Sequence, residues 1–229
     1  MVEVVWDIWW YVQQMIPLGL LALAVLLLLT PVRKGRLREL NLVSSRRRET
    51  ALVLFVAFCA GLAALTLFPA NFWSGSAYFL LHPNAWGTLL REWDPLSRYP
   101  TWEETASRLV HLPNMLTPFE EISRALNRKS YWLLFMLLGN VVMFMPIGFF
   151  PALLWRRWRW WKSILTGFLA SSTIEFIQFF IGRSTDIDDV ILNTIGAAAG
   201  FWIFCVLRAL FPGFMKKFQC QPRGGYYCG

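Results

Sequence analysis

The chain has 229 residues and a formal net charge of +8, with 56% of its residues hydrophobic and only 16% charged. Soluble domains carry about a quarter charged residues, so this composition, with a mean hydropathy of +0.45, excludes a soluble globular protein and points to a membrane protein. The positive charge sits in short runs between apolar stretches. It reads as a determinant of topology with some attraction for anionic lipid headgroups, and no nucleic-acid partner is inferred from it.

Five stretches, roughly residues 6–30, 50–70, 131–155, 163–181 and 189–211, are long enough to cross a hydrocarbon core, which takes about 20 apolar residues in a helix. The first opens with Glu3 and Asp7 instead of a basic region, and no small-residue cleavage site follows it. It is therefore read as a span and not as a cleaved leader. No lipidation motif is read at either end, since Val2 follows Met1 and Cys228 stands one residue from the end instead of four. Trp6, Trp9, Trp10 and Tyr11 open span one as an interfacial belt, and Trp155, Trp158, Trp160 and Trp161 ring the turn between spans three and four.

Basic residues concentrate on one side of these spans, 15 of the 22 in the chain. The segment "RKGRLRELNLVSSRRR" at 33–48 holds seven, "RRWRWWK" at 156–162 holds four, and Arg208, Lys216, Lys217 and Arg223 add four more. That side should be cytoplasmic. The fold expected is all-α: a polytopic membrane protein of five transmembrane helices, N-terminus outside and C-terminus cytoplasmic. Its parts are a first helix with a basic cytoplasmic loop (1–49), a four-helix core (50–211) and a cytoplasmic tail (212–229).

Residues 71–130 form the one long segment outside the spans, rich in Trp, Pro and acid and expected on the outer face. Its second half, "TWEETASRLVHLPNMLTPFEEISRAL", has helical spacing at both ends, broken by Pro113 and Pro118. It is too short for an independent domain. Cys59 and Cys205 fall inside spans as small apolar fillers, and Cys220 and Cys228 lie in the tail, where thiols stay reduced. His82 and His111, with Glu103 and Glu104, are read as polar loop residues; no metal site and no cofactor is assigned.

The polar residues inside the spans ask for an explanation, because a carboxylate in a membrane costs several kcal/mol, roughly, unless it is neutralised, paired or wet. Asn140 lies in span three, Glu175 and Gln178 in span four, and Asn193 in span five. Glu175, Gln178 and Gly182 share one helical face, as do Asp189, Asn193, Gly196 and Gly200. At about 1.5 Å per residue these groups reach roughly 6–14 Å below the outer ends of their helices. The "GAAAG" run at 196–200 would let another helix approach closely. A single cluster of Asn140, Glu175, Gln178 and Asn193 in the outer leaflet is the expectation.

These residues also carry a resemblance. The pattern Asn140, Phe144, Pro146, Gly148, then Glu175 and Gln178, then Gly182, Arg183, Ser184, Asp186, Ile187, Asp189, Asn193 and Gly196 resembles that of the VanZ-like family. "TLFP" at the end of span two and "NMLTPF" before span three fit the same pattern. The resemblance covers about residues 50–211. It implies a bacterial cytoplasmic membrane protein of the cell envelope, connected with reduced susceptibility to the glycopeptide teicoplanin.

Two accounts of the carboxylates stand side by side. In one, Asp186 is the N-cap of span five, with Asp189 completing a capping box and Arg183 pairing with one of them. In the other, Asn140, Glu175, Gln178, Arg183, Asp186, Asp189 and Asn193 bind a lipid-linked envelope component, with Arg183 on its phosphate or carboxylate. An alternative within that second account is a membrane-embedded enzyme acting on a lipid or lipid-linked phosphate. Glu175 would be its acid or base, and Asp186, Asp188 and Asp189 would hold a Mg²⁺-like cation. A transporter with Glu175 as a proton site is the weakest option, for want of a repeat.

Overall fold

The computed structural model describes residues 2–68, 99–115, 117–128 and 131–222. His82, Pro69, Arg223, Cys228 and most of the Trp-rich segment lie outside these residues, as do the side chains of Trp6, Trp9, Trp10, Tyr11 and His111. Among the described residues the chain is almost wholly helical. Five helices are long and apolar enough to cross a membrane, at Val12–Glu39, Arg46–Thr66, Leu133–Leu154, Trp160–Phe180 and Ile187–Leu210.

Helix α1 (Val2–Glu39) runs well past its apolar stretch. Residues 33–39 are Lys, Arg, Leu and Glu around one glycine, mostly good helix formers, and the helix stops only before Asn41, which adopts a left-handed conformation at φ 53° that Asn tolerates. Helix α2 (Arg46–Thr66) begins directly afterwards, with Ser45 Oγ accepting the Arg48 N–H at 3.2 Å as an N-cap. The basic segment 33–48 is thus mainly helix around a short turn. In that turn the strand β1 (Leu42–Val43) pairs antiparallel with β2 (Gln221–Pro222), Leu42 opposite Pro222 and Val43 opposite Gln221.

Helix α3 (Trp102–Met115) opens with a complete capping box: Thr101 N–H donates to Glu104 Oε2 at 2.7 Å, and Glu104 N–H donates to Thr101 Oγ1 at 3.3 Å. It continues through Pro113, which the sequence pattern had marked as a break. Helix α4 (Glu120–Asn127) follows, then α5 (Tyr131–Leu154), which carries Pro146 and Pro151 within it. Helices α6 (Trp160–Phe180), α7 (Ile187–Leu210) and the short α8 (Pro212–Lys216) complete the chain.

The fold divides into two compact units. The first comprises Met1–Ala24, Val56–Leu116 and Ile174–Thr185; the second comprises Val25–Phe55, Thr117–Thr173 and Asp186–Gly229. In the first unit α1 meets α2 at Gly61, where an added Cβ would stand 2.0 Å from Met15 Cε. In the second, α5 and α7 pack backbone to backbone. A Cβ on Gly196 would lie 2.2 Å from the Val141 carbonyl oxygen, on Gly200 1.9 Å from that of Met145, and on Gly148 1.8 Å from that of Ala197. Lipid tails are as apolar as leucine, so helices in a membrane associate through such close packing instead of hydrophobic expulsion. Phe144, Ile147, Ala197 and Phe204 are buried along this contact. Gly167 brings α6 against α7 as well, a Cβ there falling 2.5 Å from Ala197 Cβ.

Candidate functional site

The polar residues of the motifs fall into two sets, one in each unit. In the first unit, α6 ends at Phe180 and is closed off by Gly182, whose φ of 79° is the left-handed conformation that suits glycine. The Arg183 N–H then reaches back to the Gln178 carbonyl at 3.0 Å, closing a Schellman-type turn. That turn aims two side chains at the C-terminus of α2, whose last carbonyls have no partner within the helix. Gln178 Nε2 donates to the Thr66 carbonyl at 3.2 Å, and Arg183 Nη1 donates to those of Leu65 at 2.9 Å and Phe68 at 3.5 Å. A cation there also complements the negative end of the helix dipole. Arg108 of α3 donates through Nη2 to the Arg183 carbonyl, and its guanidinium lies 5.3 Å from the centre of the Phe179 ring. Glu175 is buried, and its carbonyl accepts the Thr185 hydroxyl at 3.4 Å.

In the second unit Asp186 is the N-cap of α7, its Oδ1 accepting the Asp188 N–H at 2.8 Å. Asp189 does not turn back to complete a box; its Oδ1 accepts from Asn140 Nδ2 of α5. Asp188 is fully buried and caps a different helix. Phe119, the N-cap position of α4, has φ 65° and no side-chain oxygen to offer. The Asp188 carboxylate takes that place, accepting from the backbone N–H of Phe119, from Glu121 at 3.0 Å and from Ile122 at 3.2 Å. One turn further into α7, Asn193 Nδ2 donates to Ser171 Oγ at 2.8 Å, both residues being buried. Asn193 Oδ1 is buried with no hydrogen-bond partner among the described residues.

Asp186, just outside the span, has its carboxyl pushed above the ordinary value. Burial is the largest cause, and the charges of Asp188, Glu121 and Glu120 act with it, against the lowering effect of the bond from the Asp188 N–H. Among the described residues no three His, Cys, Asp or Glu side chains are grouped to hold a metal ion.

A family model described as VanZ/LLP1 matches residues 18–208. The chain belongs to the VanZ/LLP1 family. No curated protein and no solved structure matches it. The match takes in the later part of the first span as well as the core from 50 to 208, so much of α1 shares in the family resemblance.

In this VanZ-family protein the motif residues Gln178, Arg183, Asp186 and Asp189 are joined to backbone and side-chain partners that fix helix ends and helix pairs. Arg183 makes no ion pair with an Asp of the motif. Neither Arg183 nor Arg108 has an ion-pair partner among the described residues, and both are half-buried. Sequence reasoning overlooked Arg108, Ser171 and Gln14. Ser171 was legible in principle, since it precedes Glu175 by four residues on the same helical face. Gln14 is buried in the first unit with its Nε2 unpartnered among the described residues, and only its place inside an otherwise apolar run signals it. Arg108 gave no sign, because its role depends on where α3 lies against the turn at 182–185.

Proposed function

We propose that this VanZ-family protein acts at the outer face of the bacterial cytoplasmic membrane, where it binds an anionic, lipid-linked component of the envelope and lowers susceptibility to teicoplanin. The observation that carries this reading is the Arg108–Arg183 pair: two half-buried arginines, the Arg108 guanidinium donating to the Arg183 backbone carbonyl, and neither with an ion-pair partner among the described residues. Guanidinium groups form charge-assisted, often bidentate bonds to phosphate and carboxylate. Arg183 spends Nη1 on α2, and its other donors make no hydrogen bond to a described residue. Glu175 and Gln178 of the same unit belong to this reading as residues that shape and orient the site.

The enzyme alternative, with Glu175 and an aspartate cluster acting on a lipid-linked phosphate, gains less. It needs Asp188 as an ion ligand, and both oxygens of Asp188 already accept backbone N–H groups.

The test is the teicoplanin susceptibility of a sensitive host expressing the wild type, Arg108→Gln, Arg183→Gln or Glu175→Gln at matched membrane levels. Protection by the wild type that both arginine variants lose supports the reading. Equal protection by all four would overturn it. Sidedness is checked with single cysteines in a background lacking the native ones: an impermeant reagent should label Ser184→Cys from outside and leave Arg157→Cys unlabelled.

A further inference from the structure

Where α1 gives way to α2, the second unit holds a cavity of about 260 Å³ lined by Lys34, Leu37, Arg38, Leu42, Val43 and Ser44. Lys34 and Arg38 are four residues apart and share one face of α1. Both are exposed, and among the described residues neither has an ion-pair partner. Two acids, Glu39 and Glu49, accompany the seven basic residues of 33–48: Glu49 binds Arg33 in a two-fold contact, accepts from Ser44 and lies 3.9 Å from Arg48 Nη1, while the exposed Glu39 makes no ion pair among the described residues. Arg33 and Arg48 each retain a buried Nε with no partner among the described residues. The turn therefore carries a surplus of positive charge that no part of the described chain neutralises.

The cavity is also a built feature. Its strand wall, Leu42–Val43, is paired to Gln221–Pro222. Ser45 Oγ donates to the Lys217 carbonyl at 2.5 Å, and the Arg47 guanidinium lies 5.6 Å from the centre of the Phe214 ring. The residues following α7 thus hold the turn in shape.

Depth along α1 says what kind of anion would meet it. The apolar run from Val12 to Val32 measures roughly 30 Å along the helix, about the thickness of a hydrocarbon core. Lys34 follows about 3 Å beyond Val32 and Arg38 about 9 Å beyond, the depth of the headgroups. Beside the cations the lining includes Leu37, Leu42 and Val43, apolar surface that suits the glycerol and ester region of an amphiphile better than a hydrated free ion.

We propose that this pocket binds a phosphate-bearing anion, namely the phosphodiester headgroup of an anionic phospholipid, with Lys34 and Arg38 as its cationic contacts. The proposal stands apart from the Arg108–Arg183 reading, shares no residue with it, and concerns the other unit.

The experiment uses the full chain in nanodiscs of phosphatidylcholine with or without phosphatidylglycerol, with retained lipid measured by native mass spectrometry after extraction. The wild type should keep phosphatidylglycerol in preference to phosphatidylcholine. Lys34→Gln/Arg38→Gln should lose that preference by about 25-fold, at roughly five-fold per cation. Arg157→Gln/Arg159→Gln, an equal charge loss on another turn, should keep it. A readout needing no variant is acylation of the Lys34 amine, which phosphatidylglycerol should slow and phosphatidylcholine should not. Equal retention of both lipids, or a double variant that behaves as the wild type, overturns the proposal. Loss of the retained lipid to millimolar inorganic phosphate would overturn the lipid as the source and assign the pocket to free phosphate.

Discussion

Asp188→Ala tests the most consequential placement in the structure, an aspartate in the family's motif region that serves as the cap of a helix some 70 residues earlier in the chain. The wild-type carboxylate receives three backbone N–H groups, those of Phe119, Glu121 and Ile122. Alanine would leave all three without an acceptor. An unsatisfied buried donor costs about 1–3 kcal/mol. Here Phe119 is exposed and Glu121 and Ile122 are half-buried, so water recovers part of the loss and the lower bound applies, giving about 3 kcal/mol for the three. Asp188→Asn keeps one carbonyl oxygen in place and should cost about 1–2 kcal/mol, the usual range for a weakened N-cap. The assay is hydrogen exchange in detergent, followed by mass spectrometry over residues 119–126, with thermal unfolding alongside. In Asp188→Ala the first-turn amides of α4 should exchange at least ten-fold faster while α5 and α7 stay protected. Unchanged exchange over 119–122 would refute the assignment of Asp188 as the cap.

Three further outcomes are expected. Gly200→Ala should lower the unfolding midpoint by an overpacking penalty of about 2 kcal/mol or more, because its Cβ would enter the space of the Met145 carbonyl, whereas Gly19→Ala, with nothing within 4 Å, should not; equal midpoints would speak against the α5–α7 contact. A double-mutant cycle on Asn140→Ala and Asp189→Ala should give a coupling of about 0.5–1.5 kcal/mol, the range of hydrogen bonds between membrane helices, and additive effects would count against that bond. For Asp186, a folded value above the ordinary 3.8 means that the folded state holds this proton more tightly. Its contribution is complete below the ordinary value and is lost as pH rises through the raised one. Asp186→Asn keeps a good capping oxygen and removes the titration, so its midpoint relative to the wild type should climb across that window, and a pH-independent difference would contradict the placement.

The class and the spans were legible from local chemistry alone. Long apolar runs bounded by charge and Trp admit one solution in lipid, since only a helix satisfies its own backbone there; all five runs formed helices, the last four close to their expected limits. The N-cap at Asp186 was legible in the same way, because capping is a local contact across two residues. The order of the motif residues was enough to place the chain in its family.

What the other polar groups do depends on how the helices pack. Asp188 and Asp189 are neighbours in sequence, yet one caps α4 and the other joins α5. Successive residues on a helix point about 100° apart, so each side chain meets whichever element packs on its own side. The same holds for Arg183 and Gln178, whose partners are carbonyls more than a hundred residues away. The end of the first helix was misjudged for a related reason: Lys and Arg mark a membrane boundary but are also good helix formers, so the charge signal and the end of the helix do not coincide. A sequence records which groups need a partner. Which partner they find depends on the packing of helices distant in the chain.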